Sequence, residues 1–262
     1  MVDYNIITES PGLKATSEQL ARILQRYQFA RQFARDKDVL EVACGTGIGL
    51  GYLARIARKI IGGDIDEKNV SIAKNYYQGK KGIKVCLLDA HNLNFPEKSF
   101  DLVLLYEAIY YLKNPEKFVL EAKRVLKDNG VLIIGTVNKD WEDFHPSSYT
   151  YRYFSVSEIR SLLSKYFSGV EIFGGFPVKN EGIKNKCFSL IKKTASRLNL
   201  IPGNLKARTY LKRIFMGKLY PIPQEVNEAM SKYSEPILLG SEVDTRFKII
   251  YGIGKNGKYG RD

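Results

Sequence analysis

From residue 38 to residue 173 the chain alternates short, almost wholly apolar runs with stretches of helical period, and this alternation constrains the fold more than any other feature. The runs span 38–42, 59–64, 83–88, 99–105, 131–137 and 170–173. Between them, 47–58, 67–77, 115–127 and 155–167 read as helices. A further helix is predicted over 16–35, where Leu20, Ile23, Leu24, Tyr27 and Ala30 recur at helical spacing. Gly130, after Asp128 and Asn129, suits the residue that stops the 115–127 helix. Strands that are apolar on both faces, each followed by a helix, belong to a parallel sheet covered on both sides. Arg246 to Tyr251 reads as a last strand.

The alternation ends near Gly174 and Gly175. Beyond it, two basic, helical-looking stretches, 183–199 and 204–216, are separated by Pro202 and Gly203. A segment with Pro221 and Pro223 and a short helix near 223–232 come next. Eleven basic residues and one acid, Glu181, lie between Lys179 and Lys218, which is most of the formal net charge of +13. Such a balance favours anionic partners: nucleic acid, phosphorylated small molecules or a membrane surface. The three cysteines, Cys44, Cys86 and Cys187, are too few and scattered for a disulfide framework or a zinc cage, so no metal site is expected. No apolar run approaches the roughly 20 residues of a membrane span, and the N-terminus lacks the order of a signal peptide. A cytoplasmic protein is the expectation.

The stretch richest in chemistry runs from Val39 to Gly47: a strand, a glycine-rich turn (Gly45, Gly47), then a helix. Glycines let a backbone approach a ligand, and a helix start offers unpaired N–H groups. Asp64 ends the next strand, where a carboxylate can accept both hydroxyls of a ribose. Asp66, two residues on, is read as the cap of the following helix. The dinucleotide fingerprint fits poorly, because Leu50 stands where its third glycine belongs.

The pattern resembles class I S-adenosylmethionine-dependent methyltransferases instead. Glu41-Val42-Ala43-Cys44-Gly45-Thr46-Gly47 looks like their first motif, and Ile61-Gly62-Gly63-Asp64-Ile65-Asp66 like their ribose-binding strand end. Leu88-Asp89-Ala90-His91-Asn92-Leu93-Asn94-Phe95-Pro96 is similar to their adenine segment. Ser99 to Leu104 and Arg124 to Leu132 look like the fourth strand and the approach to the fifth. The resemblance implies an α/β, Rossmann-like, seven-stranded and mostly parallel sheet with helices on both faces, its seventh strand antiparallel. It places a helical insertion between strands six and seven. Residues 1–175 and 246–262 would form the cofactor-binding domain and 176–245 a basic lid or substrate wall. S-adenosylmethionine is the implied cofactor. Gly45 and Gly47 would meet its methionine part and Glu41 would help hold that region. Asp64 would bind the ribose, Ile65 would pack on the adenine, Asp89 and Ala90 would meet its edge, and the backbone at Leu105 and Tyr106 would close the site. Tyr27, on the N-terminal helix, is a further candidate for the methionine end, with core packing as its alternative.

Thr8 to Gly12, Glu107 to Leu112 and Thr136 to Trp141 further resemble a bacterial group of such enzymes associated with sugars and surface polysaccharides. The implied reaction is O-methylation of a small-molecule or sugar hydroxyl, nucleotide-linked or on a glycan. The implied partner is therefore a small molecule, anionic or sugar-linked, and peripheral membrane contact of the basic stretch stays open, as does the oligomeric state. An alcohol acceptor calls for a base. His145, in the loop after the fifth strand, and Glu107, after the fourth, are the two candidates, each with an ordinary loop or ion-pair role as its alternative. A nucleic-acid methyltransferase is the rival prompted by charge. Against it, Leu105-Tyr106-Glu107-Ala108 lacks the Asn/Asp-Pro-Pro-aromatic signature of base-amine methylators. A non-catalytic S-adenosylmethionine-binding protein is the third reading.

Overall fold

A computed structural model describes residues 9–147, 149–178, 218–240 and 243–257. The two-residue strand β1 (Lys14–Ala15) comes first. The helix α1 (Ser17–Ala34) starts at a capping box, in which Thr16 and Gln19 satisfy each other's backbone N–H groups. After it come the strand β2 (Asp38–Val42), helix α2 (Leu50–Ala54), β3 (Lys59–Asp64), α3 (Glu67–Tyr77) and β4 (Ile83–Leu87). Next are β5 (Phe100–Tyr106), α4 (Pro115–Val125), β6 (Leu126–Val137), α5 (Val156–Ser164) and β7 (Gly169–Pro177). Two more two-residue strands, β8 (Tyr220–Pro221) and β9 (Ile237–Leu238), precede the last long strand, β10 (Phe247–Lys255).

The main sheet has the order β4-β3-β2-β5-β6-β10-β7-β9. Pairings from β4 through β6 are parallel, and β10 runs antiparallel to both β6 and β7. The seven strands read from the sequence are all present and the last is antiparallel, but the sheet has eight strands rather than seven. The eighth, β9, joins the β7 edge through two residues, Ile237 and Leu238. No apolar run announces a strand that short.

Helices α1, α2 and α3 cover one face, where Leu20, Ile23, Leu24, Leu50, Leu53 and Tyr77 pack on Val39, Leu102, Leu104 and Ile133. Helices α4 and α5 cover the other, where Phe118, Val119, Ile159 and Leu163 meet Leu40, Val103, Leu105 and Ile134. Side chains of a strand alternate between faces. Glu41, between Leu40 and Val42, is therefore delivered to the α1 face.

Three predicted helices need correction. The one predicted over 47–58 is the five-residue α2, because the turn occupies 43–49. The one near 223–232 is a single 3₁₀ turn, Glu228–Met230, capped by Asn227. The 115–127 helix ends at Val125, and the chain passes directly into β6 through the extended Leu126, so Gly130 is a strand residue and caps nothing. The basic stretches 183–199 and 204–216 lie outside the described residues. The segment from residue 218 to residue 234 is tied to the α1–α2 side: β8 pairs with β1, Arg55 and Arg31 pair with Glu225 and Glu228, and Gln25 donates to the Ser234 carbonyl. Among the described residues no helix is long and apolar enough to cross a membrane.

Candidate functional site

A cavity of about 340 Å³ opens at the carboxyl ends of β2, β3 and β5. This is where open α/β sheets bind ligands. One end is built by turns that come after consecutive strands. After β2, Ala43, Gly45 and Gly47 all take left-handed backbone conformations, with φ of 55°, 56° and 78°. Gly45 lines the cavity, whereas Gly47 lies behind it. There Tyr77 donates to the Gly47 carbonyl (2.8 Å), and a side chain on Gly47 would press on Leu50, Tyr77 and Ala73.

Glu41 is buried beneath this turn. Its Oε1 accepts the Tyr27 hydroxyl at 2.6 Å, while its Oε2 has no hydrogen-bond partner. Burial pushes the carboxyl up to about 7, against the Tyr27 hydrogen bond and the Arg26 charge. The Tyr27 ring reaches it by lying on the Gly49 backbone, where even a methyl group would collide with the ring. Asp64, at the end of β3, accepts the Gly45 N–H at 2.7 Å and the Asp66 N–H at 2.9 Å, and its pKa is raised, by burial first. Asp66 caps α3 through the Lys68 and Asn69 N–H groups. Beside Asp64, Ile65 is 56% exposed and lines the cavity with an apolar surface.

Asp89 follows β4 and accepts both the backbone N–H and the ring Nδ1 of His91. Burial opposes ionisation there, but the His91 bonds hold the carboxyl below its ordinary value. His91 Nε2 accepts the Asn114 N–H, so the ring bridges two loops. Ala90 lines the same wall.

The other end of the cavity belongs to different elements. Glu107, just after β5, is a non-glycine residue at φ 50°. Such strain, about 1–3 kcal/mol, collects at functional positions. Its Oε2 accepts the Tyr110 hydroxyl at 2.9 Å. Burial raises its pKa, opposed by Arg26 and by that hydrogen bond. Arg22, Arg26 and Gln19 from α1, Glu9 before it, and Tyr251 from β10 also line this end. Tyr106 donates to the Arg26 carbonyl at 3.0 Å, which clamps α1 to the end of β5.

The structure thus gathers Tyr27, Glu41, Gly45, Asp64, Ile65, Asp89, Ala90, Tyr106 and Glu107 around one cavity. It leaves out Gly47, Leu105 and His145. Leu105 alternates with Tyr106 on β5 and packs in the α4–α5 core. His145 is exposed in the loop after β6 and lines no part of the cavity. The described part of 176–245 does not line it either. Arg22 and Arg26 are not among the site residues expected from the sequence, and Glu9 enters there only as part of the Thr8 to Gly12 segment. Arg22 and Arg26 stand one turn apart on α1, beside the apolar stripe that packs into the core.

Residues 40–134 match the family described as Methyltransferase domain. A Mycolicibacterium smegmatis protein named as a probable S-adenosylmethionine-dependent methyltransferase is 32% identical over 129 residues, 49% of each chain. A Pelagibacter ubique protein named ubiquinone biosynthesis O-methyltransferase is 27% identical over 111 residues, 40% of this chain and 44% of its own. The chain spans half or less of the length of these curated relatives. Among solved structures, an S-adenosylmethionine-dependent methyltransferase of Thermotoga maritima aligns with a TM-score of 0.56 at 19% identity, covering 92% of this chain and 91% of its own. The [4+2]-cyclase SpnF aligns at 0.58 and 16% identity, covering 90% and 80%. The fold alone therefore does not carry the reaction. Residues 40–134 are similar to the methyltransferase domain, and the sheet that holds them has the Rossmann-like fold of S-adenosylmethionine-dependent methyltransferases.

Proposed function

We propose that this chain is an S-adenosylmethionine-dependent methyltransferase that methylates a hydroxyl of a small-molecule acceptor, sugar-bearing and nucleotide-linked or part of a glycan. The observation that carries the cofactor reading is the buried, unpartnered Oε2 of Glu41 in the wall of the cavity. A buried carboxylate oxygen without a partner is costly, and an ammonium group from the cavity would satisfy it. Asp64 and Ile65 then stand where a ribose and an adenine would lie, with Asp89 at the adenine edge. The residues present fit the group. S-adenosylmethionine, bound there, supplies a methyl group on a positively charged sulfur.

The chain's own residues have three tasks. Glu41 holds the amine, Asp64 the ribose and Asp89 the adenine edge of the cofactor, so that the acceptor meets the methyl group in line; such positioning is worth up to about 7–11 kcal/mol. Tyr27, Tyr106 and Tyr251 wall the site with aromatic rings. Glu107 takes the proton of the acceptor hydroxyl. Its burial makes it a stronger base than an exposed carboxylate, and Arg26 favours its ionised form. His145 would have to move to reach the same atom. We further assign the acceptor to the sugar and surface-polysaccharide class, 1–175 and 246–262 to cofactor binding, 176–245 to the substrate side, and the protein to the cytoplasm. The paired charges and tyrosines at the acceptor end suit a polar, hydroxyl-rich molecule.

Incubation with methyl-labelled cofactor and panels of nucleotide-sugars, glycans, small phenols and RNA tests this reading. Label in a sugar-bearing compound is expected. Label in RNA alone, or calorimetry in which S-adenosylmethionine does not bind, would overturn it.

A further inference from the structure

Asp89 lines the cavity with a side chain that is 49% exposed, and a carboxylate so placed would turn freely in water. His91 removes that freedom. Its backbone N–H and its ring Nδ1 both meet Asp89 Oδ1, at 2.8 and 2.9 Å. Among the described residues nothing donates to Oδ2. One carboxylate oxygen is engaged, and the other is left for a ligand.

The ring is itself held from its far side. Its Nε2 accepts the Asn114 N–H at 3.2 Å. A backbone N–H can only donate, so Nε2 carries the lone pair and the proton sits on Nδ1, facing the carboxylate. Asn114 is the N-cap of α4, where its own side chain accepts the Lys117 N–H. The turn that carries Asp89 is pinned as well. The Leu88 N–H donates to the Asp64 carbonyl before it, and the Asn92 N–H closes back on the Asp89 carbonyl after it. The imidazole thus bridges a strand end and a helix start, both fixed by backbone hydrogen bonds, and Asp89 hangs from that bridge.

We propose that His91 is a positioning residue for base selection: it aims Asp89 Oδ2 at the exocyclic amine of the cofactor's adenine, so that the site takes a 6-amino purine and rejects a 6-oxo one. The proposal rests on reading this cavity as the S-adenosylmethionine site with its adenine against Asp89. An ionised carboxylate only accepts hydrogen bonds. It suits the N–H of a 6-amino group and repels a 6-oxo oxygen. That choice needs the free oxygen at a set place, since an aspartate that turns could present either oxygen or neither. His91 acts through Asp89, so its loss should blunt the choice between bases rather than weaken every ligand alike.

The test measures, by calorimetry on the full chain, the affinities for S-adenosylhomocysteine and for S-inosylhomocysteine, its 6-oxo counterpart. The parent should prefer the amino compound by about tenfold to a hundredfold, the scale of one hydrogen bond to a charged group. His91→Phe keeps a ring but neither nitrogen. It should shrink that preference by about fivefold or more, chiefly through weaker binding of the amino compound. Asp89→Asn, whose amide can donate, should abolish or reverse the preference, and adding His91→Phe to it should change the ratio by less than about twofold. Thermal melting shows that each variant is folded. If His91→Phe weakens both compounds alike and keeps the parental ratio, the ring is a structural brace and the proposal falls. A fivefold change of the ratio on the Asp89→Asn background also overturns it, because the ring would then act apart from the carboxylate. The same titrations separate the two readings. Binding of the amino compound with an unchanged ratio in His91→Phe defeats the positioning role alone and leaves the cofactor reading standing. A parent that binds both compounds equally defeats the Asp89 assignment and the proposal with it, and a parent that binds neither defeats the cofactor reading as well.

Discussion

At one end of the cavity Gly45, Asp64 and Asp89 come after three neighbouring parallel strands, so the register of β2, β3 and β4 sets their spacing. At the other end Glu9, Arg22, Arg26 and Glu107 come from an N-terminal segment, one helix and a strained strand end. The first end is held by backbone N–H groups that donate to its carboxylates, as from Gly45 and Asp66 to Asp64 and from His91 to Asp89. The second is held by side chains that satisfy one another. A sheet-built end can stay the same while the side-chain end changes, which is how one fold serves many acceptors. The two ends should then fail separately when mutated.

The largest separation is expected at Glu107. Glu107→Gln keeps the size and the bond to Tyr110 but removes the proton acceptor. Turnover should fall about 10²-fold, while calorimetric affinity for S-adenosylmethionine stays within about threefold. Activity reduced less than tenfold would remove Glu107 from the base role and return His145→Ala to first place among the variants to assay. Asp64→Ala should do the reverse. Losing hydrogen bonds to a charged acceptor costs about 1.5–3 kcal/mol each, so cofactor affinity should weaken tenfold to a hundredfold or so. Unchanged affinity would refute the ribose assignment.

Glu41 offers a pH test of the same end. Its carboxyl is pushed up to about 7, and only the ionised form attracts an ammonium. A raised carboxyl is protonated more readily in the folded chain, so cofactor binding is weak below about 7 and gains as pH rises through that value. From pH 6 to pH 8 the ionised fraction goes from about one tenth to about nine tenths, and affinity should rise roughly ninefold. Glu41→Gln should flatten the profile. A flat profile in the parent would mean that the amine lies elsewhere. By the same linkage, the buried carboxyl favours the folded state least above about pH 7, so melting temperature should drift down with pH in the parent and less in Glu41→Gln.

The cofactor end was legible in the sequence because its residues sit within a few positions of strand ends, and apolar runs mark strand ends. Gly45 and Asp64 could be placed that way, whereas Glu41, Asp89 and the antiparallel last strand came from the family resemblance. The acceptor end was less legible for two physical reasons. Arg26 lies beside the apolar stripe of α1, and nothing in a one-dimensional pattern tells a buried, paired arginine from a solvated one. Glu9 meets Arg26 from a segment with neither helix nor strand, so no periodic pattern places it. His145 drew notice because histidines are scarce in the chain, yet scarcity does not aim a side chain. The strand β9 is not announced in the sequence and α2 is shorter than the helix predicted there, because tertiary hydrogen bonds, more than local propensity, set the limits of such short elements.

The smallest expected effect probes the independence of the two ends most directly. Thr16 and Gln19 form the capping box at the start of α1. Thr16→Ala should cost about 1 kcal/mol, a drop of roughly 2–4 °C in melting temperature for a chain of this size. The first turn it loosens carries Glu18 and Gln19 and leads into Arg22, all at or beside the acceptor end. Asp64 and the turn after β2 hang from the sheet and make no contact with that turn in their hydrogen bonds. Acceptor KM should therefore rise by a few fold while cofactor affinity holds. If cofactor affinity falls in step, α1 braces both ends, most directly through Tyr27 and Glu41, and the cavity must be treated as one cooperative unit.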